Sequence, residues 1–282
     1  MREWEQRAAE TGVSVESITL SVDGDEVPTV LCRPPGPAPR VGVAIATEAQ
    51  GVNNFIKGVG VELAEHGYVS VIPDYYHGTG PEDPEILIDV AHMGPLLDAI
   101  SSLDFRRGAE DILAGVTYLR EHQHVSTVAV WGYCTGGTLA WLAAELGRDV
   151  DAAVLFYPSQ PTFHELSAKQ PQHPIDMIWQ MRCPALLIVG DQDDVWPEDL
   201  VREVTERFAT WSIPLTTDIY HGAGHTFAGH FEDWHRPEAA SAAMEHALAF
   251  LGELSARAAT RPRADSPASR SRRSRQGAPP PA

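Results

Sequence analysis

The sequence is poor in cysteine and has no long apolar run. Its 282 residues include only three cysteines, Cys32, Cys134 and Cys183, and none belongs to a CxxC pair. So small and odd a number argues against a disulfide framework or a thiolate zinc site. No stretch approaches the roughly 18–20 apolar residues that span a bilayer, and no signal-peptide pattern opens the chain. We therefore expect a cytoplasmic protein without membrane contact.

Basic residues are also scarce, and they are unevenly distributed. The chain carries 21 Lys and Arg against 39 Asp and Glu, a formal net charge of −18. Residues 261–282 have a net charge of +5, which leaves −23 on residues 1–260. Such an acidic body is not expected to bind nucleic acid. The Ser-, Arg- and Pro-rich segment 257–282 is predicted to be a disordered, dispensable tail, although its arginines could contact nucleic acid or an acidic partner.

Apolar runs alternate with amphipathic segments over most of the chain. The predicted strands cover residues 18–22, 27–32, 41–46, 68–72, 126–131, 151–157, 184–190 and 214–220. Helices are predicted over 54–66 with Asn54 as its cap, 104–122, 135–147, 197–210 and from Pro237 onwards. Residues 74–103 are expected to combine loop with a short helix, and 158–181 to form a long connection. About eight strands alternating with helices predict one α/β domain, residues 1–256, with a mostly parallel sheet covered on both faces.

A cysteine occupies a glycine-flanked turn between a predicted strand and a predicted helix. The segment Gly132–Gly136 (GYCTG) fits the G-x-nucleophile-x-G pattern of α/β-hydrolases in the required context. The turn is sharp and requires glycine, and the helix N-terminus favours a thiolate on Cys134. The N–H of Thr135 is suitably placed for an oxyanion. An inert core residue is the alternative for Cys134 and the preferred interpretation for Cys32 and Cys183.

The chain order of α/β-hydrolases places an acid and then a histidine after the nucleophile. Three aspartates and two histidines follow the last two predicted strands: Asp191, Asp193, Asp194, His221 and His225. We favour Asp193, which lies three residues beyond the glycine at the strand end, and His225, which has room to turn inward. Asp191 or Asp194 could instead cap the following helix.

Four histidines close together in sequence raise the alternative of a metal site. They are His221, His225, His230 and His235. Their spacings of four, five and five residues match no standard zinc pattern. We therefore predict neither a metal nor an organic cofactor.

Three motifs in this order resemble those of the dienelactone hydrolase family. They are Gly132–Gly137 (GYCTGG), Gly190–Asp193 (GDQD) and Ala223–Ala228 (AGHTFA). Two further segments, Thr47–Asn53 (TEAQGVN) and Val71–Tyr75 (VIPDY), are similar to family segments that end earlier strands. The resemblance covers nearly all of the predicted domain.

The resemblance implies an α/β-hydrolase fold and a small-molecule ester or lactone substrate. Hydrolysis would use a Cys134–His225–Asp193 triad and a thioacyl-enzyme intermediate. The family pattern also implies that Glu48 lies beside the cysteine and modulates its ionisation, with a solvated loop acid as the alternative. The N–H of Ala49 would complete the oxyanion hole.

The sequence departs from the family pattern at the arginines that bind the substrate. The family's lactone enzymes hold the substrate carboxylate with an arginine shortly after the catalytic histidine, where this chain has Gly229. Residues 81–103 hold no clear counterpart of a second family arginine. Since the body is acidic as well, we expect a neutral ester, lactone or thioester.

Candidate pocket residues are Tyr133, Trp179 and Trp196. The alternative function is a catalytically inactive binding or sensor protein, and nothing in the sequence specifies an oligomeric state.

Overall fold

A computed structural model describes residues 2–36, 40–85, 93–229 and 234–260 of the chain. Its strands are β1 (Ser14–Val22), β2 (Asp25–Arg33), β3 (Val41–Ala46), β4 (Val69–Pro73), β5 (Thr127–Tyr133), β6 (Ala152–Phe156), β7 (Ala185–Gly190) and β8 (Leu215–Tyr220). Its helices are α1 (Glu3–Thr11), α2 (Asn54–Glu65), α3 (Met93–Ser102), α4 (Phe105–His122), α5 (Thr135–Leu146), α6 (Pro174–Met177), α7 (Glu198–Thr210) and α8 (Pro237–Thr260), with a 3-10 turn at Ile178–Gln180.

The strands form a single mixed sheet in the order β1-β2-β4-β3-β5-β6-β7-β8. The β1–β2 hairpin is antiparallel and joins β4 in an antiparallel pair, whereas every pair from β4 to β8 is parallel. Parallel strands require crossover helices, which cover both faces. The predicted α/β-hydrolase fold is confirmed.

The side chains of β3 point alternately to the two faces of the sheet, and all of them are buried because helices cover both faces. Val43 and Ile45 pack in the core layer beneath α2 and α8, and Ala44 and Ala46 pack in the layer beneath α4 and α5. A strand covered on both faces has no polar position, which explains the continuous apolar sequence VGVAIA. The parallel strands therefore present their side chains to helices, and only their carboxyl ends are free to carry a site.

Several boundaries differ from the prediction. Helix α1 was not predicted, because it buries only Ala8 and its pattern is mostly polar. The cap of α2 is Asn53, whose side chain accepts a hydrogen bond from the N–H of Ile56, and not Asn54. Helix α8 continues to Thr260 and so includes residues 257–260, the first four residues of the predicted tail. Residues 261–282, like 86–92, lie outside the described residues.

Candidate active site

A strained turn carries Cys134 between β5 and α5. Its backbone has φ 53° and ψ −116°, a conformation that non-glycine residues seldom adopt. A Cβ on Gly132 would lie 2.0 Å from the carbonyl oxygen of Gly136, and a Cβ on Gly136 would lie 2.2 Å from that of Thr47. Both glycines are therefore required by contact with backbone, as the motif predicted.

His225 lies between Cys134 and Asp193 and contacts both. Its Nε2 is 3.3 Å from the Cys134 Sγ, and its Nδ1 is 2.8 Å from the Asp193 Oδ2. The other Asp193 oxygen accepts the N–H of Val195 at 2.9 Å, which fixes this buried carboxylate. Burial lowers the pKa of His225, but the Cys134 sulfur and the bond to Asp193 outweigh it and raise the pKa overall. The arrangement favours a charged imidazole next to the sulfur.

The competing acids and base lie elsewhere. Asp191 accepts the N–H of Gly222 at 2.7 Å and pairs with the exposed His221. The hydrogen bond from Gly222 is the main cause that lowers the pKa of Asp191. Asp194 is exposed, and neither aspartate caps α7, which is preceded by Pro197. Of the candidate acids and bases, the structure thus brings only Asp193 and His225 to the cysteine.

The other two cysteines are buried in the core, as predicted. Burial raises the pKa of both the Cys32 and the Cys183 thiol to about 12. Cys134 is the partly accessible one. His230 lies outside the described residues, and within those residues no group of three His, Cys, Asp or Glu could hold a metal ion.

Glu48 is buried, which excludes a solvated loop acid. Its Oε1 accepts a hydrogen bond from the Tyr157 hydroxyl at 3.4 Å, while its Oε2 has no partner among the described residues. Burial raises the pKa of Glu48 to about 7, against the opposing effects of His225 and Tyr157. A Cβ on Gly229 would lie 2.9 Å from the Glu48 Oε1. A larger side chain at Gly229 would therefore displace Glu48.

The two predicted oxyanion donors follow neighbouring strands. Ala49 comes after β3 and Thr135 after β5, which lie side by side in the sheet. Neither N–H forms a hydrogen bond within the part of the chain that the structure describes. The carbonyls around Ala49 are held by the hydroxyls of Tyr75 and Tyr76, whose participation was not predicted. Two features of the sequence could have indicated them: their position after the predicted strand at 68–72, and the family-like segment Val71–Tyr75.

The three aromatic residues proposed for a substrate pocket do not form one. Tyr133 is buried and stacks on Phe156 with ring centroids 4.4 Å apart. Trp196 is buried too, and its Nε1 donates to the carbonyl of Pro158 at 2.8 Å.

Trp179 lies on the side of the sheet where the parallel strands begin. It is 55% exposed and its ring lies 6.5 Å from that of Trp211, which ends α7. Because α7 returns from the carboxyl end of β7 to the start of β8, this pair lies opposite Cys134. The aromatic residues fill core and surface positions that composition alone does not distinguish.

No helix in the described ranges is both long enough and apolar enough to cross a bilayer. The sheet order and the cysteine turn at the carboxyl end of β5 define an α/β-hydrolase. A family model for the dienelactone hydrolase family matches residues 27–255. The chain belongs to that family, as its motifs indicated.

Relatives match over most of their length. A probable 2-oxo-3-(5-oxofuran-2-ylidene)propanoate lactonase of Bradyrhizobium sp is 30% identical over 246 residues, which are 86% of this chain and 96% of that protein. A carboxymethylenebutenolidase of Pseudomonas putida is 31% identical over 248 residues, with the same coverage of 86% and 96%. The chain is accordingly a hydrolase of carboxylic esters or lactones.

The fold is similar to that of solved structures as well. The crystal structure of a candidate dienelactone hydrolase from Klebsiella pneumoniae superposes with a TM-score of 0.74 at 22% identity and covers 84% of this chain and 97% of that one. At this identity the likeness concerns the fold alone.

Proposed function

We propose that the chain hydrolyses a neutral carboxylic ester, lactone or thioester by acyl transfer through Cys134, His225 and Asp193. The observation that carries the proposal is the hydrogen-bonded series from the Cys134 Sγ through both ring nitrogens of His225 to the buried Asp193. A nucleophile in contact with a base, which a third group orients, is the arrangement that covalent catalysis requires.

In this mechanism the Cys134 thiolate attacks the substrate carbonyl, and the carbonyl π electrons move to the oxygen. Collapse of the tetrahedral intermediate forms the thioester and expels the alkoxide, which takes a proton from His225. His225 then removes a proton from water, which attacks the thioester carbonyl. The C–S bond breaks, the carboxylic acid leaves, and the Cys134 thiolate is restored beside the protonated His225. Asp193 keeps the imidazole in one orientation throughout. The backbone N–H groups of Ala49 and Thr135 would bind the oxyanion, since both are unpaired among the described residues.

Glu48 is assigned a modulating role. It is buried beside Tyr157, and its charge acts on His225, which contacts the nucleophile. A carboxylate there favours a charged imidazole and so sustains the ion pair with Cys134, whereas a protonated Glu48 removes that support. Its pKa of about 7 allows both states near neutral pH.

The proposed neutral substrate follows from the residue next to Glu48. Both relatives are named for compounds that carry a carboxyl group, a propanoate and a carboxymethylenebutenolide. In this chain Gly229 stands where the family's lactone enzymes have an arginine, and Glu48 occupies the space beside it. A substrate carboxylate in that region would lie near the carboxyl group of Glu48, and position 229 offers no arginine to bind it.

The test compares Cys134→Ala with Cys183→Ala on a panel of aryl esters, lactones and thioesters. Cys183 is buried at the start of β7, away from the proposed site, and its variant controls for the loss of a thiol. We expect Cys134→Ala to lose at least about 10³-fold in kcat, because no other group replaces the nucleophile. Wild-type turnover by Cys134→Ala would refute the mechanism, and so would an acyl adduct at any other residue in a mass spectrum.

A further inference from the structure

Two tyrosine hydroxyls hold the backbone on both sides of Ala49. The Tyr75 hydroxyl donates to the carbonyl of Glu48 at 2.7 Å and to that of Thr47 at 3.2 Å. The Tyr76 hydroxyl donates to the carbonyl of Ala49 at 2.9 Å. Both side chains are buried, so water does not compete for these carbonyls. Two phenols therefore bind three consecutive peptide groups.

The peptide group between Glu48 and Ala49 makes these contacts relevant to chemistry. In a planar trans peptide the carbonyl and the N–H point in opposite directions, so a group that fixes the carbonyl also aims the N–H. Besides Tyr75, the Thr47 Oγ1 donates to the Glu48 carbonyl at 3.1 Å and the Gly51 N–H at 3.0 Å. Three donors on this oxygen also polarise the peptide, which strengthens the Ala49 N–H as a donor.

The turn that carries the tyrosines is itself held in place. The Asp74 carboxylate accepts the N–H of Tyr76 at 3.1 Å and that of Gly78 at 2.9 Å. The ring of His77 lies 2.7 Å from the buried carboxylate of Asp111 on α4. A rigid turn at the end of β4 thus presents both hydroxyls to the neighbouring loop after β3. Preorganised donors of this kind are effective because they need no rearrangement during the reaction.

We propose that Tyr75 and Tyr76 are positioning residues that aim the Ala49 N–H at the oxyanion formed during acyl transfer. This inference rests on the proposed function, because it assumes that the Ala49 N–H is an oxyanion donor. Burial raises the pKa of both tyrosines above the ordinary value, so their hydroxyls remain protonated donors at neutral pH. Their contribution is therefore independent of pH.

The test uses Tyr75→Phe and Tyr76→Phe, with Tyr68→Phe as the matched control. Tyr68 immediately precedes Val69, the first residue of β4, and so lies at the other end of this strand from Tyr75 and Tyr76. Two rates are measured for each variant: hydrolysis of 4-nitrophenyl acetate, and alkylation of Cys134 by iodoacetamide. Both need the thiolate, but only hydrolysis develops an oxyanion.

We expect Tyr75→Phe to lower kcat about 10-fold or more with little change in KM, because removal of an oxyanion donor itself costs about 10²–10³-fold. Alkylation should proceed at the wild-type rate, and the pH profile of kcat should keep its shape at a lower level. Tyr68→Phe should match the wild type in both rates. If Tyr75→Phe does not fold, Thr47→Val removes another donor to the same carbonyl and should show the same selective loss.

Two results would overturn the inference: wild-type hydrolysis in both tyrosine variants, or an equal loss of hydrolysis and alkylation. Either result is distinguishable from failure of the proposed function, which would appear as full activity of Cys134→Ala. A selective loss of hydrolysis in Tyr75→Phe together with an inactive Cys134→Ala supports both.

Discussion

Glu48 is a buried residue at the site whose placement costs the fold stability. A carboxyl group is buried with one oxygen unpartnered among the described residues, and burial raises its pKa from 4.5 to about 7. Between these two pH values the folded state binds more protons than the unfolded state. The contribution of Glu48 to stability therefore falls as pH rises from about 4.5 to about 7, and it is constant above. A group retained at such a cost is expected to serve the site.

Glu48→Gln should remove this pH dependence. A pKa that moves from 4.5 to about 7 corresponds to about 3 kcal/mol of unfolding free energy. We expect the variant, relative to the wild type, to gain about that much stability between pH 4.5 and pH 8, whatever the constant cost of the buried amide. Urea unfolding across this pH range measures the difference, with exposed Glu165→Gln as the control. Parallel pH profiles for wild type and Glu48→Gln would contradict the buried, raised carboxyl.

At the scale of the element, the turn between β5 and α5 depends on the absence of side chains. Gly136→Ala should destabilise the fold by several kcal/mol, because its Cβ would lie 2.2 Å from the Thr47 carbonyl oxygen. Gly58→Ala is the matched control: it lies inside α2, and its Cβ would meet nothing within 4 Å. That variant should gain about 0.5–1 kcal/mol from helix propensity. Thermal unfolding measures both, and a tolerated Gly136→Ala would refute the close contact.

Elements with a buried, periodic face were predictable, and those held by polar contacts were not. The strand at 41–46 was located to the residue because both of its faces are buried. Helix α1 was missed because its position depends on groups such as Arg7, which pairs with Glu65 on α2. The chain order led to the choice of Asp193 and His225, which the structure brings together with Cys134. The tyrosine hydroxyls that bind backbone carbonyls leave no periodic pattern in the sequence. The cytoplasmic location and the disordered tail at 257–282 stay predictions.

Across the whole molecule, the distribution of charge should act on the choice of substrate. Residues 1–260 carry −23 and residues 261–282 carry +5, so the body repels anions at a range that salt shortens. This long-range repulsion of anions adds to the local lack of an arginine at Gly229. The two effects are separable because only the long-range repulsion depends strongly on ionic strength.

The prediction compares 4-acetoxybenzoate, an anionic ester, with its neutral methyl ester. From about 10 mM to about 300 mM salt, kcat/KM for the anion should rise roughly 3-fold or more as repulsion is screened, while the neutral ester changes little. A chain ending at Thr260 loses the +5 segment, so its anion rate should be lower at low salt and reach the full-length value at high salt. Steady-state kinetics on both chains measure this. A flat salt response for the anion would refute the long-range repulsion, and a preference for the anion over the methyl ester at low salt would refute the neutral-substrate proposal.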